Sequence, residues 1–526
     1  MKSLFCITLT ILFCREVQAQ DGVFDIQFGE AGSLITNISG YDEYSKDMDI
    51  DQYGNIFIAG YDYLFQEGDR PVVAKHLPDG EQDPAFGNSG VAEILIEMDD
   101  VSCYAHAIDV DMDGSIYLGG TLIQYIHHYA ILLKLLPNGI LDATFGDNGM
   151  VILDSAVYAD AYVSDVIAMP DGNIYWCGTS QLITPSYEGA CLIAGKCSKN
   201  GTINTAFADN GLFKSSFGSD ITIGQKLLIQ PDGKILLSAT TANTFGFVRL
   251  FNTGQVDPNF GNTGTAIVDF GDPALLRDIG ILSNGNIVSC GYVELDYTGA
   301  CEYGQTKIAV AMLNASGQPD MQFDDDGSLT ARFNTCNDEA YCLLVQPDNQ
   351  ILIGAGGGNF SALNPHHYQV IRYTPTGQRD NSFGENGIAT AEFNEYYNYP
   401  HTLAFQPSGM AIMSGRSSNY YYGRLTFYTT RISTGVNPDD LLQDNTVQVT
   451  QNMVWTFDNT LFTQLPDEYP FAATIYNMSG QSLGKFEIND TGASVSLNGL
   501  PPAIYVINLV GQYTRYVKTV VVTPDK

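Results

Sequence analysis

The chain has 526 residues, with 59 acidic against 24 basic side chains and a formal charge of -35. Such a surface repels phosphate backbones and anionic headgroups, so nucleic acid is not an expected partner; it favours solubility and divalent cations. Hydrophobic residues at 44% and aromatics at 11% exclude a disordered chain, and 53 glycines with 31 tyrosines suit strands and tight turns.

Residues 1–19 read as a secretion signal. Lys2 supplies the positive start, Leu4 to Cys14 is an apolar run too short to span a bilayer, and Ala19 offers a small residue for cleavage before Gln20. Phe13 is too bulky for a lipid-attachment signal at Cys14. No later apolar run approaches the ~18 residues of a membrane helix, so no transmembrane segment is expected in the mature chain.

From Asp25 onward a box of the form D-x-x-F-G-x-x-G recurs seven times, centred on Phe28, Phe86, Phe145, Phe207, Phe260, Phe323 and Phe383. The spacings are 58, 59, 62, 53, 63 and 60 residues, and so regular a period signifies a repeat architecture. Two further signals keep step with the box. One is a hairpin such as VIAMPDGNIYWCG, in which Pro-Asp-Gly, Asp-Gly or Asn-Gly separates two apolar runs. The other is an apolar run ending in a polar-Gly turn, such as AILLKLLPNG. With the alternating run after the box, each period holds four short strands, designated A to D.

Repeated four-stranded units arranged as blades around an axis leave only short, protected edges. Seven A–B hairpins and seven C strands are present, but the chain opens on a box with its D strand and the last repeat stops after C near Gly435. The expected fold is therefore all-β: a seven-bladed β-propeller over residues 20–435, closed by its N-terminal strand. A linear β array or two smaller propellers are the alternatives. The box followed by an A strand and P-D-G-[NK]-I resembles the bacterial delta-60 repeat family over residues 21–435, with Ala208, Asp324 and Asn349 as local departures. That family is known by its repeats and implies no shared activity.

Residues 436–450 are polar and read as a linker, and 451–526 as a small β-sandwich domain. The Ile475-Tyr476-Asn477 and Gly480-Gln481 turn, the strand carrying Leu500, Tyr505 and Ile507, and the terminal Lys518 and Val521 resemble the C-terminal sorting domain of the Bacteroidota type IX secretion system. The usual Y-P-N-P-like opening is absent. The resemblance implies export through the type IX machinery, engaged by residues 451–526, and a secreted or outer-membrane surface location. A sandwich that binds sugar is the alternative.

Local disulfides are expected for Cys177 with Cys191, Cys290 with Cys301 and Cys336 with Cys342, while Cys103 and Cys197 have no evident mate. Zinc is disfavoured by the lack of C-x-x-C. Alternating strand direction puts the A–B and C–D turns on one face and the variable D–A and B–C loops on the other, where function is expected. There, Tyr396, Tyr397 and Tyr399 and, in the neighbouring loop, Tyr420, Tyr421 and Tyr422 form a candidate ligand-binding patch for glycan or protein. Asp109, Asp111 and Asp113 open a calcium-like D-x-D-x-D-G loop without its twelfth-position glutamate, so a plain hairpin turn competes with calcium; no other cofactor is expected. No catalytic motif is present. The expected function is therefore binding or adhesion at the cell surface. Alternatives are a glycan hydrolase or lyase using carboxylates in the propeller funnel, and a structural envelope protein.

Overall fold

A computed structural model describes residues 21–36, 38, 42–63, 68–96, 98, 100–153, 160–184, 187–219, 221–295, 305–333, 336–358, 367–391, 397–418 and 425–436, and the backbone of the strands within 454–522. These residues form strands and turns, with no helix among them, and residues up to 436 make a seven-bladed propeller of four-stranded antiparallel sheets. The innermost A strands are Glu43–Ile50, Val101–Val110, Asp160–Ala168, Thr222–Ile229, Ala274–Ile281, Asn337–Val345 and Tyr397–Phe405. Blades 1 to 6 each run A-B-C-D in sequence order, whereas the seventh sheet takes its outer strand from Ser33–Thr36, paired with Leu425–Ile432.

Each blade is sandwiched between two others, which is why the middle strands read as unbroken apolar runs. In strand B of blade 4, Ile235–Thr241, all seven residues are buried. Among the described residues, a hydrophobic cluster fills each of the seven interfaces between blades: Trp176 and Phe145 belong to that between blades 2 and 3, Phe28 and Phe427 to that between blades 7 and 1. Every box phenylalanine is at most 2% exposed.

The box is a joint between blades. Its aspartate accepts the amide two residues on, as Asp83 Oδ1 does from Ala85 at 3.0 Å, and so shapes the corner. The amide after the phenylalanine then donates to the polar-Gly turn of the next blade: Gly87 to the Asn138 carbonyl (2.9 Å), Gly146 to Asn200 (2.9 Å), Gly261 to Ser316 (2.7 Å). The backbone there is left-handed, with φ near 55° at Gly146, so glycine fits; Ala208 and Asp324 adopt φ 46° at the same position. At the seam, Gly384 donates to Asp21 and Gly22 to Ser433 (3.0 and 2.8 Å), and Arg431 meets Asp25.

A cation on strand C completes the joint, a contribution the box alone does not reveal. Lys75 pairs with Asp83, Lys134 with Asp142 and Arg372 with Asp380, all at 2.8 Å, and Arg249 with Asp257 at 2.9 Å. The two guanidiniums also lie over the box rings, 4.7 Å from Phe260 and 4.8 Å from Phe383.

The expected disulfides do not form. Cys177 lies opposite Ala194 and Cys191 opposite Ser180, an odd offset that sends the two thiols to opposite faces of the sheet. Cys177 is buried between blades 3 and 4, and Cys191 between blades 2 and 3. Cys290 is free in the core between blades 5 and 6, and Cys301 lies outside the described residues. Cys342 is free and stands six residues along an extended strand from Cys336, roughly 20 Å, far beyond disulfide reach. Cys336 is itself disulfide-bonded. Cys103 and Cys197 are free and buried.

Beyond the propeller, Val454–Phe457, Thr460–Thr463 and Ser494–Ser496 form a three-stranded sheet. Ser482–Ile488, Phe471–Asn477, Ala503–Val510 and Arg515–Val522 form, in that order, a four-stranded one.

Candidate functional site

All seven A strands carry a β-bulge at the same level. Pairing with strand B skips Lys46, His106, Ser164, Arg277, Tyr341 and His401, and in blade 4 the two residues Gln225 and Lys226. A bulge re-aims its side chain, and on the innermost strand of a propeller the free direction is the axis. One residue per blade stands eight residues before the hairpin-turn glycine, Lys46 before Gly54, His106 before Gly114 and Gln225 before Gly233, with Asn349 replacing glycine in blade 6. The residue type changes from blade to blade, so the axial layer is not itself a repeat.

One step toward the A–B turns lies a charged layer. The Lys226 ammonium is 3.4 Å from Asp165 and 3.8 Å from Asp47. Burial works against its charge, but Asp165, Asp47 and Asp278 overcome this and raise its pKa well above the ordinary lysine value. The same carboxylates lace adjacent A strands together: Asp47 accepts the Ile108 amide (3.2 Å), Asp165 that of Leu227 (2.8 Å) and Asp278 that of Leu343 (2.8 Å). Asp49 likewise accepts Val110 (2.7 Å) and Asp109 accepts Ala168 (2.9 Å). Burial pushes Asp49 and Asp278 up to about 6 and Asp109 well above its usual value.

The three aspartates of the calcium-like triad accept backbone amides. Asp109 points into the interface with blade 3, Asp111 accepts the Met112 amide at 2.6 Å and Asp113 the Ser115 amide at 2.9 Å. The three carboxylates cap separate amides, and no cluster of three metal-ligating side chains occurs among the described residues.

Toward the D–A loops the funnel changes character. Tyr44, Tyr104, Tyr162 and Tyr399 stand two positions before the bulge residues, and strand B adds Tyr61 opposite Tyr44, Arg416 opposite Tyr399 and Tyr292 opposite Leu275. Tyr44 stacks on Tyr61 (4.8 Å), Tyr61 meets Tyr104 edge-on (4.6 Å), and His106 lies 5.9 Å from Tyr162. On the other side Tyr341 contacts Tyr399 at 6.1 Å and His401 at 6.5 Å. Cations are interleaved: Arg416 lies 4.8 Å from Tyr399 and 5.8 Å from Tyr44, Arg277 5.3 Å from Tyr292 and 5.9 Å from Tyr341, and Lys46 5.6 Å from Tyr61. These side chains sit deep among protein atoms yet retain partial solvent contact.

Lys46, Arg277 and Arg416 bring positive charge to this mouth, whose rim also holds Asp69, the acceptor of the Tyr104 hydroxyl. Burial, then Arg416 and Arg277, lower the Lys46 ammonium to about 8. Burial and Lys46 bring His106 down to about 3; burial, Arg416, Lys46 and Arg277 hold His401 well below the usual imidazole range, so both rings are neutral at pH 7. Glu339 accepts a hydrogen bond from Tyr341; its own burial raises its pKa, against which the Arg277 charge works. No carboxylate lies within ion-pair distance of Lys46, Arg277 or Arg416 among the described residues, and the Nε atoms of both arginines and Nε2 of His401 are buried without a hydrogen-bond partner.

Of the tyrosines singled out from sequence, Tyr399 lies in this funnel; Tyr397 is described by its backbone in strand A of blade 7. Tyr396, Tyr420, Tyr421 and Tyr422 fall outside the described residues. Sequence reading missed the bulge layer and Arg416, although the fixed offset from the hairpin glycine marks it.

The family described as "Domain of unknown function (DUF5122) beta-propeller" matches residues 230–260 and 346–383, each running from an A–B turn to a box phenylalanine. No curated protein matches the chain. Among solved structures, PorZ, a bacterial surface component of the type-IX secretion system of Porphyromonas gingivalis, is similar at 12% identity and a TM-score of 0.35, over 94% of this chain and 61% of that one. A puromycin hydrolase mutant gives 12% and 0.40 over 84% and 59%, so the chain spans less than two thirds of either protein. Penicillium chrysogenum alpha-L-arabinanase gives 10% and 0.39 over 76% and 97%.

Proposed function

We propose that the protein is a secreted or cell-surface propeller that binds glycan at the axial mouth on its D–A loop face, in a ring closed by its own N-terminal strand. The observation that carries this is the arc of tyrosine rings and cations along six of the seven blades, from Tyr292 and Tyr341 through Tyr399 and Tyr44 to Tyr104 and Tyr162. Tyrosine offers a flat apolar face to the C–H side of a sugar and a hydroxyl to its rim, with little entropy to lose. A concave site in which apolar rings surround a few unpaired polar groups is the usual form of a small-ligand pocket. A hydrolase built on funnel carboxylates has less support, because Asp47, Asp165 and Asp278 are committed to Lys226 and to amides of the next blade.

Supporting export are the N-terminal signal-like segment and the resemblance of residues 451–526 to type IX sorting domains. Closure is supported by the pairing of Ser33–Thr36 with Leu425–Ile432 and by the Gly384 to Asp21 bond. The experiment is a glycan-array screen of the mature chain beside Tyr44→Ala and Tyr399→Ala variants. Specific binding should appear and fall at least tenfold in either variant; binding that survives both places the ligand elsewhere.

A further inference from the structure

The funnel mouth has a property that glycan binding by itself does not require. In a chain of formal charge -35, three cations converge where no carboxylate pairs with them among the described residues. Elsewhere in the same fold the described cations on strand C that face a box aspartate are paired at 2.6 to 2.9 Å, so pairing is the rule the chain otherwise follows. Holding Lys46, Arg277 and Arg416 together, partly desolvated, is unfavourable in the free protein, and a bound anion relieves it.

Resting on the glycan reading above, we infer that the ligand is an acidic saccharide whose carboxylate sits among Lys46, Arg277 and Arg416 while its ring lies against Tyr44 or Tyr399. The arrangement suits a carboxylate held rigidly on a sugar ring. The Arg416 guanidinium lies between the Tyr399 and Tyr44 rings, at 4.8 and 5.8 Å, which fixes its orientation and leaves its fork for a two-oxygen acceptor. Arg277 is fixed similarly by the Tyr292 hydroxyl at 3.2 Å and by the Tyr292 and Tyr341 rings. The Nε atoms left without partners on both arginines are donors that such an anion satisfies directly or through water. The acidic exterior repels polyanions, so the attraction is confined to the mouth and favours a short segment or chain end over lengthwise binding.

The test compares four probes on the full mature chain by calorimetry: an oligogalacturonate, its carboxyl-reduced neutral counterpart of equal length, a sulfated neutral oligosaccharide of that length, and sodium acetate. The oligogalacturonate should bind at least tenfold more tightly than the reduced and sulfated probes, and acetate should compete only weakly. Arg416→Gln and Arg277→Gln should each lose at least tenfold in affinity, Arg416→Lys should recover part of the loss, and thermal unfolding should report that each variant is folded. Equal binding of the neutral oligomer overturns the acidic-saccharide inference and leaves glycan binding standing. Preference for the sulfated probe overturns the assignment of a carboxylate. Absence of binding by every saccharide overturns both.

Discussion

Replacing Lys226 with methionine removes the one cation within ion-pair distance of Asp47 and Asp165 among the described residues, and the cation whose charge most opposes the rise of Asp278. The methylene stem is conserved, so the change is mainly electrostatic. Breaking a buried pair by deleting one partner costs about 3–5 kcal/mol, because an uncompensated charge remains. The Lys226 side chain is 28% exposed, which puts the expectation near the lower end, about 3 kcal/mol at pH 7.5. A second signature follows from the carboxylates. Asp278 already sits near 6 and Asp165 is also raised, both by burial, so without the ammonium they take up protons still more readily. At pH 5 the native variant therefore neutralises them, and the deficit should shrink to about 1 kcal/mol. Urea unfolding of the mature chain and of Lys226→Met at the two pH values measures this. A deficit identical at pH 7.5 and pH 5, or none at either, refutes the account of the axial layer.

Wild-type stability should pass through a maximum at mildly acidic pH. Asp49 and Asp278 titrate near 6 in the folded state, above the ordinary carboxylate value, so the native chain binds more protons than the unfolded one and stability rises as pH falls from 7 toward about 4. Below that the sign reverses, because Lys134 and Thr144 hydrogen bonds hold Asp142 at about 2 and Lys75 lowers Asp83, and their contribution is lost as protons are forced on; urea midpoints across pH 3 to 8 trace the curve. Ala208→Gly should stabilise by up to about 1 kcal/mol, because a left-handed alanine costs about 1–2 kcal/mol and glycine returns part of this as unfolded-state entropy; a loss of stability would count against the strain at φ 46°. Saccharide affinity should fall several-fold between pH 7 and 9 as Lys46, near 8, gives up its proton beside Arg277, Arg416, His106 and the Tyr61 ring. Lys46→Met should flatten that profile, and calorimetry at three pH values suffices to show it.

Seven-fold repetition, the all-β class and the assignment of the Phe-Gly box to a corner were legible in sequence because they depend on contacts within about 60 residues. A buried phenylalanine at every corner, followed by a left-handed residue that is glycine at all but Ala208 and Asp324, leaves the same mark each time. Strand C cations such as Lys134 and Arg249 were visible as letters, but their pairing with the box aspartate eight residues on depends on how the corner folds back. The disulfide expectations failed for a related reason: spacing along the chain does not say which face of a strand a side chain occupies. Cys177 and Cys191 look like neighbours across a loop and are buried in two different interfaces.

The sequence by itself determined the repeat, the turn chemistry and the alternation that makes blades, all set by local backbone preference and burial. Only the tertiary structure decided the site. Lys46, Arg277 and Arg416 are 139 to 370 residues apart and follow no shared pattern of residue type. They meet because one bulge per inner strand turns a side chain toward an axis that exists only when the ring is formed.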